Sequence, residues 1–383
     1  MPLTEVHYEM PDREYFAAEG ISNSTLGKMK RTPAHCKYAM ENPSEPTANM
    51  RLGSLFHTLV LEPEKYQERY HLAADTDPKQ PSKAVVVEMI ESIQSETFSE
   101  KFHVDDGVSP AKPRGEAKSI VDAVLESNGD NALDTFVTEP IGTNKRTKDG
   151  KAAYAEFVAE CERDGKTVVS RSNLDTAIEY LEYLAKVGER QVVKNDDFLR
   201  ATNYVSYLKH VGDKEIITET MLEAATAMAE SVKSHPAASK LLSSGTPEVS
   251  IFWDDEETGA RRKCRIDFIH DSGIVVDLKS TSNASEEEFA RSVAKFGYHR
   301  QQAFYVEGFE SGFKKQPTGF VFVATESTPP YATAVYALCE ESEAKGREEI
   351  RELLPLLIDC KSRDEWPAYS PRIEKLTLPR WYK

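Results

Sequence analysis

The spacing of apolar positions changes near Gly245. Before it, apolar residues recur at intervals of three and four, as on amphipathic helices; after it, short apolar runs are separated by turn residues. Residues 1–75 read as mainly helical. Ser22-Asn23-Ser24 caps a short helix that ends near Thr32-Pro33. A second helix covers 48–61 and stops ahead of Glu62-Pro63, because proline disfavours a helical residue before it. Residues 76–150 are polar, with scattered proline, glycine and lysine, and read as loops with short helices. Residues 151–245 read as helical, most clearly over 152–161, 173–186 and 215–234, with no internal repeat.

Beyond Gly245 the pattern predicts strands at 249–253, 261–270 and 274–280, with a turn at 254–259. Ser285 precedes Glu288 by three residues, a capping box that opens a helix reaching Phe296, and Gly297 terminates it. A helical stretch over 298–308, strands at 318–324 and 332–338, and an acidic helix at 341–360 complete the chain. From about 220 the order is α-β-β-β-α-α-β-β-α, which predicts an α/β fold with a mixed central sheet flanked by helices. The expected parts are an N-terminal helical segment (1–75), a helical and loop insertion (76–245) and a core (246–383), together forming one compact domain.

The runs 264–270 and 274–280 are joined by Asp271-Ser272-Gly273, a three-residue loop with glycine last, which suits a type I turn closed by a residue of positive φ. A loop centred on Ser272 sets 267 opposite 277. Asp267 and Asp277 then face each other, with Cβ atoms roughly 5 Å apart, and Lys279 points to the same side. Like charges opposite one another destabilise a sheet, and a divalent cation between them removes that penalty. The competing reading is a surface pair worth almost nothing. Asp277 follows Ile274, Val275 and Val276, however, in a run that reads as a buried strand where an unpaired charge is costly.

Two carboxylates beside a lysine suit phosphodiester hydrolysis with Mg²⁺, which prefers hard oxygen ligands and keeps waters. Lys279 would orient or deprotonate a water, or stabilise charge developing on phosphate. Four further features each carry two readings. Glu248 is an exposed strand-end glutamate or a third metal carboxylate. His57, in a helix with an apolar face of Leu52, Leu55, Phe56 and Leu59, is a hydrogen-bonded core histidine or a ligand. Arg261, Arg262, Lys263 and Arg265 are a phosphate-contacting edge for DNA or solubilising edge-strand charge; Lys28, Lys30 and Arg31 are a second possible contact. Gln301 and Tyr305, four apart on a helix, share a face with Tyr298, as an active-site pair or as ordinary amphipathic pattern.

Composition narrows the class. At 383 residues the chain can bury a large core, and its aromatic and aliphatic content excludes wholesale disorder. The net charge of −16 argues against a nonspecific nucleic-acid coat but leaves a local groove open. Five scattered cysteines without CxxC spacing signal neither structural zinc nor a disulfide framework. The N-terminus lacks signal-peptide features and no apolar run reaches membrane length, so a cytoplasmic location is expected.

The Asp267, Asp277 and Lys279 trio, with this element order, resembles the PD-(D/E)xK nuclease superfamily. Gln301-xxx-Tyr305 after the Asp-Leu-Lys strand resembles its RecB-type branch. Ile21-Ser22-Asn23-Ser24, Thr32-Pro33-Ala34-His35 and Arg51-Leu52-Gly53-Ser54-Leu55-Phe56-His57, with Leu61-Glu62-Pro63, resemble the RecE-type exonuclease (exonuclease VIII) domain. The resemblance covers roughly 15–75 and 230–310. It implies a nuclease core with helical N-terminal and middle additions. It implies His57, Asp267, Asp277 and the Leu278 carbonyl as metal ligands, Lys279 as the catalytic lysine, and Gln301 and Tyr305 as support. It also implies Mg²⁺ (Mn²⁺ substituting), 5′→3′ digestion of linear duplex DNA leaving 3′ single strands, an annealing recombinase as partner, and a ring-like homo-oligomer. The second motif here is Asp-Leu-Lys rather than Glu-x-Lys, and 190–220 matches nothing in that pattern.

Overall fold

The computed structural model describes residues 3–105, 110–127, 132–140, 142 and 145–378. Six strands form the central sheet in chain order: β1 (Thr4–His7), β2 (Gly245–Asp254), β3 (Arg261–His270), β4 (Ile274–Thr281), β5 (Gly319–Glu326) and β6 (Thr333–Tyr336). Around them lie α1 (Asn23–Met29), α2 (Ala48–Leu61), α3 (Glu219–Ser234), α4 (Glu286–Phe296), α5 (Tyr298–Phe313) and α6 (Glu340–Arg363). Only β4 and β5 are parallel; the other neighbours run antiparallel. A parallel pair needs a crossover, here made by α4 and α5. The expected α/β class, mixed sheet and element order from 220 onward are those observed. Ser285 occupies the N-cap position of α4 but makes no side-chain cap bond, so the expected capping box does not close there. Gly297, at φ 72°, ends α4 and starts α5.

Alternation along the strands sorts the core into two layers. Val275 of β4 and Phe320 and Phe322 of β5 pack with Phe289 of α4, Phe304 and Phe309 of α5, and Leu354 and Leu357 of α6. Val276 and Leu278 of β4 and Val323 of β5 face the opposite way, against Leu55 and Phe56 of α2 and Met228 and Val232 of α3. Each such fully buried side chain stabilises the fold by about 1.5–3 kcal/mol. Residues 213–245 therefore belong with the sheet. The compact units are 1–74 with 213–383, and 75–212, so the boundary expected at 245 lies near 212 and the single compact domain is two units.

The N-terminal segment is not wholly helical: β1 pairs with β2 from Thr4↔Trp253 to His7↔Ser250 and forms one sheet edge. Ser22 accepts a hydrogen bond from Thr25 N, capping α1 as the sequence predicts, and Thr47 accepts one from Met50 N at the start of α2.

The chain does contain a repeat, contrary to the sequence reading. Val169, Val193 and Ile217 are buried at a constant interval of 24 residues (169 to 193 to 217), as are Ala177, Ala201 and Ala225 (177 to 201 to 225). Each valine or isoleucine lies on a short strand leading into a helix: Thr167–Val169 into Arg171–Val187, Gln191–Lys194 into Asn195–Val211, and Glu215–Ile217 into α3. Each strand pairs in parallel with an earlier one, Phe136–Thr138, Phe102–Asp105 and Tyr70–Leu72 respectively. Each helix also packs on a longer helix upstream of that earlier strand: Glu116–Glu126, Ala84–Gln94 and α2. The chain thus enters three modules in one order and leaves them in reverse. Two modules make up the unit 75–212, and the third, which carries α2, lies in the unit containing the sheet.

Candidate active site

The hairpin has the register read from the sequence. Val275 pairs with Ile269 and Val276 with Phe268, and Gly273 closes the loop at φ 85°. The ladder then stops one pair short of 267 and 277. Asp267 Oδ2 instead accepts the Leu278 N–H at 2.8 Å, so a side chain replaces the missing main-chain partner. The side-chain alternation of β3 breaks at the same point: Cys264 and Ile266 enter one core layer and Phe268 the other. Across β3, Glu248 of β2 holds φ 50° between Pro247↔Phe268 and Val249↔Ile266. A non-glycine residue there carries about 1–3 kcal/mol of strain, a cost that clusters at functional sites. The two irregularities open the sheet where the acidic side chains lie.

Asp277 is fully buried. Its carboxylate is ion-paired with Lys279 and accepts a hydrogen bond from the Gln301 side-chain amide at 2.5 Å. Lys279 Nζ lies 4.9 Å from the Tyr298 ring and 5.9 Å from the Phe322 ring. Burial pulls the lysine pKa down, but the Asp277 and Asp267 carboxylates outweigh it and hold the amine above its usual value. Burial pushes Asp277 up to about 6, against the pull of Lys279. Tyr305, one turn beyond Gln301, lines the same cleft, and burial keeps its hydroxyl protonated.

His57, Glu248 and Asp267 offer ligand atoms that all lie within 4.8 Å of one another. His57 comes from α2. Four residues earlier, Gly53 meets β4 so closely that a Cβ would stand 3.1 Å from Ser280 Oγ. His57 Nδ1 is 3.7 Å from Asp267 Oδ2. Burial, with Lys279 adding, lowers the His57 pKa to about 4, so the imidazole is neutral and able to ligate. Burial first, and then Asp267, pushes Glu248 up to about 8. Two half-buried carboxylates and a neutral imidazole form the kind of donor set a divalent cation would neutralise. Asp277, expected among the ligands, is ion-paired with Lys279 and accepts from Gln301, and it also stands within reach of the Asp267 and His57 charges.

This charge arrangement has a pH signature. Glu248 keeps its proton in the folded chain up to about 8 but releases it near 4.5 when unfolded. Its folded pKa is raised, so cation-free stability is greatest below the unfolded value and falls as pH climbs toward 8. A bound cation competes with that proton. The gain in Tm from millimolar Mg²⁺ or Mn²⁺ is therefore expected to grow between about pH 5 and about pH 8, and Glu248→Gln to flatten the trend. Differential scanning fluorimetry across that range checks it; a gain that does not change with pH contradicts it.

The basic cluster is not an open edge, because β3 is paired on both sides. Arg262 is buried and bonded to Asp255 and Glu307. Lys263 donates to the Tyr15, Phe16 and Ala18 carbonyls. Arg265 binds Asp12, Ser250 and the Met10 carbonyl, and Arg261 binds Glu5 and Asp254. All four side chains are engaged by partners within the fold rather than standing on an open edge, while Arg261, Lys263 and Arg265 still line the cleft. Lys30 is likewise paired with Glu349. The sequence reading missed Arg69, which lines the cleft and pairs with the buried Glu62; only the Glu62-Pro63 segment hinted at it.

His57, Glu248, Asp267, Lys279, Gln301 and Tyr305 open onto one cleft of about 1770 Å³. Small-ligand sites are typically about 300–1,000 Å³, so this cleft suits a polymer better. Residues 152–379 match the family described as PDDEXK-like domain of unknown function (DUF3799). The chain belongs to that family. The match spans Glu248, Asp267, Asp277, Lys279, Gln301 and Tyr305, while His57 lies outside it. Membership in a PDDEXK-like family supports a nuclease acting on DNA, and nucleases of this fold generally use divalent cations. The RecE-type branch is narrower than that description. No curated protein matches the chain. A crystal structure named "Putative exonuclease" from Eubacterium rectale aligns at 15% identity and a TM-score of 0.35, covering 53% of this chain and 83% of that one. Among the described residues, no helix is long and apolar enough to cross a membrane.

Proposed function

We propose that this chain is a divalent-cation-dependent exonuclease that digests linear double-stranded DNA from 5′ ends and leaves 3′ single strands for recombination of phage type. The observation that carries the reading is the meeting of His57, Glu248 and Asp267 beside the Asp277–Lys279–Gln301 set in one cleft. The RecE-type likeness of the segments around Ser22 and His57 supports the polarity, an annealing recombinase as partner and a ring-like homo-oligomer.

His57, Glu248 and Asp267 would hold the cation. Mg²⁺, or Mn²⁺ in its place, would polarise the scissile phosphate and lower the pKa of a water. Gln301 fixes the Asp277 carboxylate, and Asp277 fixes Lys279. With its pKa raised, Lys279 is an ammonium at neutral pH. As a cation it would stabilise charge developing on the phosphate. The Tyr298 and Phe322 rings beside it exclude water and strengthen that interaction.

Linear duplex labelled at either the 5′ or the 3′ end, incubated with Mg²⁺, tests the reading. Early release of 5′ label as mononucleotide, with covalently closed circular duplex left intact, is expected. Nicking of the circle would establish an endonuclease instead, and no hydrolysis of any duplex would overturn the proposal.

A further inference from the structure

Phe16, Met50 and Phe296 expose 75%, 59% and 55% of their surface, and all three line the cleft that holds Asp267 and Lys279. Single exposed apolar residues are ordinary; here three from separate elements line the one cleft that holds the charged site. Both rings are braced from behind. Phe16 meets the buried Tyr15 edge-on at 5.4 Å, and Lys263 pins that turn by donating to the Tyr15 and Ala18 carbonyls at 2.8 and 2.6 Å. Phe296 stacks on Tyr298 at 5.7 Å, and Tyr298 leads directly to Lys279 at 4.9 Å. Lys295 Nζ stands 5.1 Å from the Phe296 ring, placing a cation beside the apolar face.

The electrostatics favour the same ligand. Arg261, Lys263 and Arg265 line the cleft but spend their donors on Glu5 and Asp254, on backbone carbonyls, and on Asp12. With those three side chains engaged and a chain charge of −16, Lys279 and Lys361 are the remaining cleft lysines for phosphate, and stacking adds to what they supply. Every nucleobase offers a π-face for stacking, but a paired duplex hides it except at its very end. We propose that the cleft takes an unpaired DNA end, with bases stacked on Phe16 and Phe296 while their strand runs past Lys279, so that the terminal pairs separate before cleavage. This rests on the nuclease reading of the cleft.

The test measures kcat/KM of the full chain on three linear duplexes: fully paired, mismatched at the terminal pairs, and abasic at the terminal nucleotides of each strand in turn. Wild type is expected to cut the mismatched end faster than the paired one. Phe16→Ala and Phe296→Ala are each expected to lose roughly 5- to 150-fold on paired ends, the factor matching about 1–3 kcal/mol of stacking. They should lose little on the abasic strand, which has no base to stack, and Phe296→Trp should retain activity. Equal losses on normal and abasic ends, no loss on either, or no wild-type preference for mismatched ends would each overturn the inference while leaving the nuclease intact. A wild type that cuts no DNA removes both readings together.

Discussion

Lys279→Met is expected to lower kcat for linear duplex hydrolysis by roughly 10²–10³-fold, with KM nearly unchanged. Methionine keeps the length and apolar stem that pack against Tyr298 and Phe322, so the cleft walls remain while the charge disappears. Once the ammonium is gone, Asp277 has lost the partner that drew its pKa down, and it rises further above its present value of about 6. A protonated Asp277 is neutral and tolerates its buried position, so the variant should fold. Single-turnover rates with saturating enzyme separate the chemical step from binding. A loss confined to KM would make Lys279 a binding residue, and activity within a few fold of wild type would remove it from the catalytic set.

What could be read from the sequence followed the range of the interactions involved. The turn at Ser272, the cap at Ser22 and the side shared by Asp277 and Lys279 depend on neighbours within a few residues, and all are present. The splayed ladder at Asp267 was not legible. It arises because a carboxylate takes over the Leu278 N–H and because Glu248 adopts φ 50°, neither of which has a local signature. The basic cluster was misread for a related reason. Its partners, Glu5, Asp12 and Glu307, are distant in sequence, and pattern alone cannot show that a charge is already spent. The 24-residue repeat, in contrast, was in plain view in Ala177, Ala201 and Ala225. Few positions recur, and the residues between them differ from one module to the next, so no window looks repetitive on its own.

Arg300→Ala is expected to destabilise the protein by about 3–5 kcal/mol, the cost of removing one partner from a buried ion pair. Arg300 is 2% exposed, and its guanidinium donates to Glu349 at 2.8 Å and to the Asn23 side chain at 2.9 Å. It joins α5 to α6 and to the start of α1. Gly27 and Gly297 supply the space, since a Cβ at either would stand within 2.9 Å of the guanidinium. With the arginine present, Lys30 and His299 help hold the Glu349 pKa down to about 2. Without it, Glu349 keeps only the half-exposed Lys30 and the neighbouring His299. Urea denaturation followed by fluorescence measures the loss, and the double variant Arg300→Met, Glu349→Gln should recover much of it because no buried charge is left unpaired. The effect should also reach the cleft. Gln301 is the next residue on α5, so loosening this clamp relaxes the hydrogen bond that orients Asp277. Below the midpoint of unfolding, Arg300→Ala should therefore reduce kcat while Arg300→Lys reduces it less. A variant as stable and as active as wild type would mean that the clamp neither secures α1 against α5 nor sets the carboxylate beside Lys279.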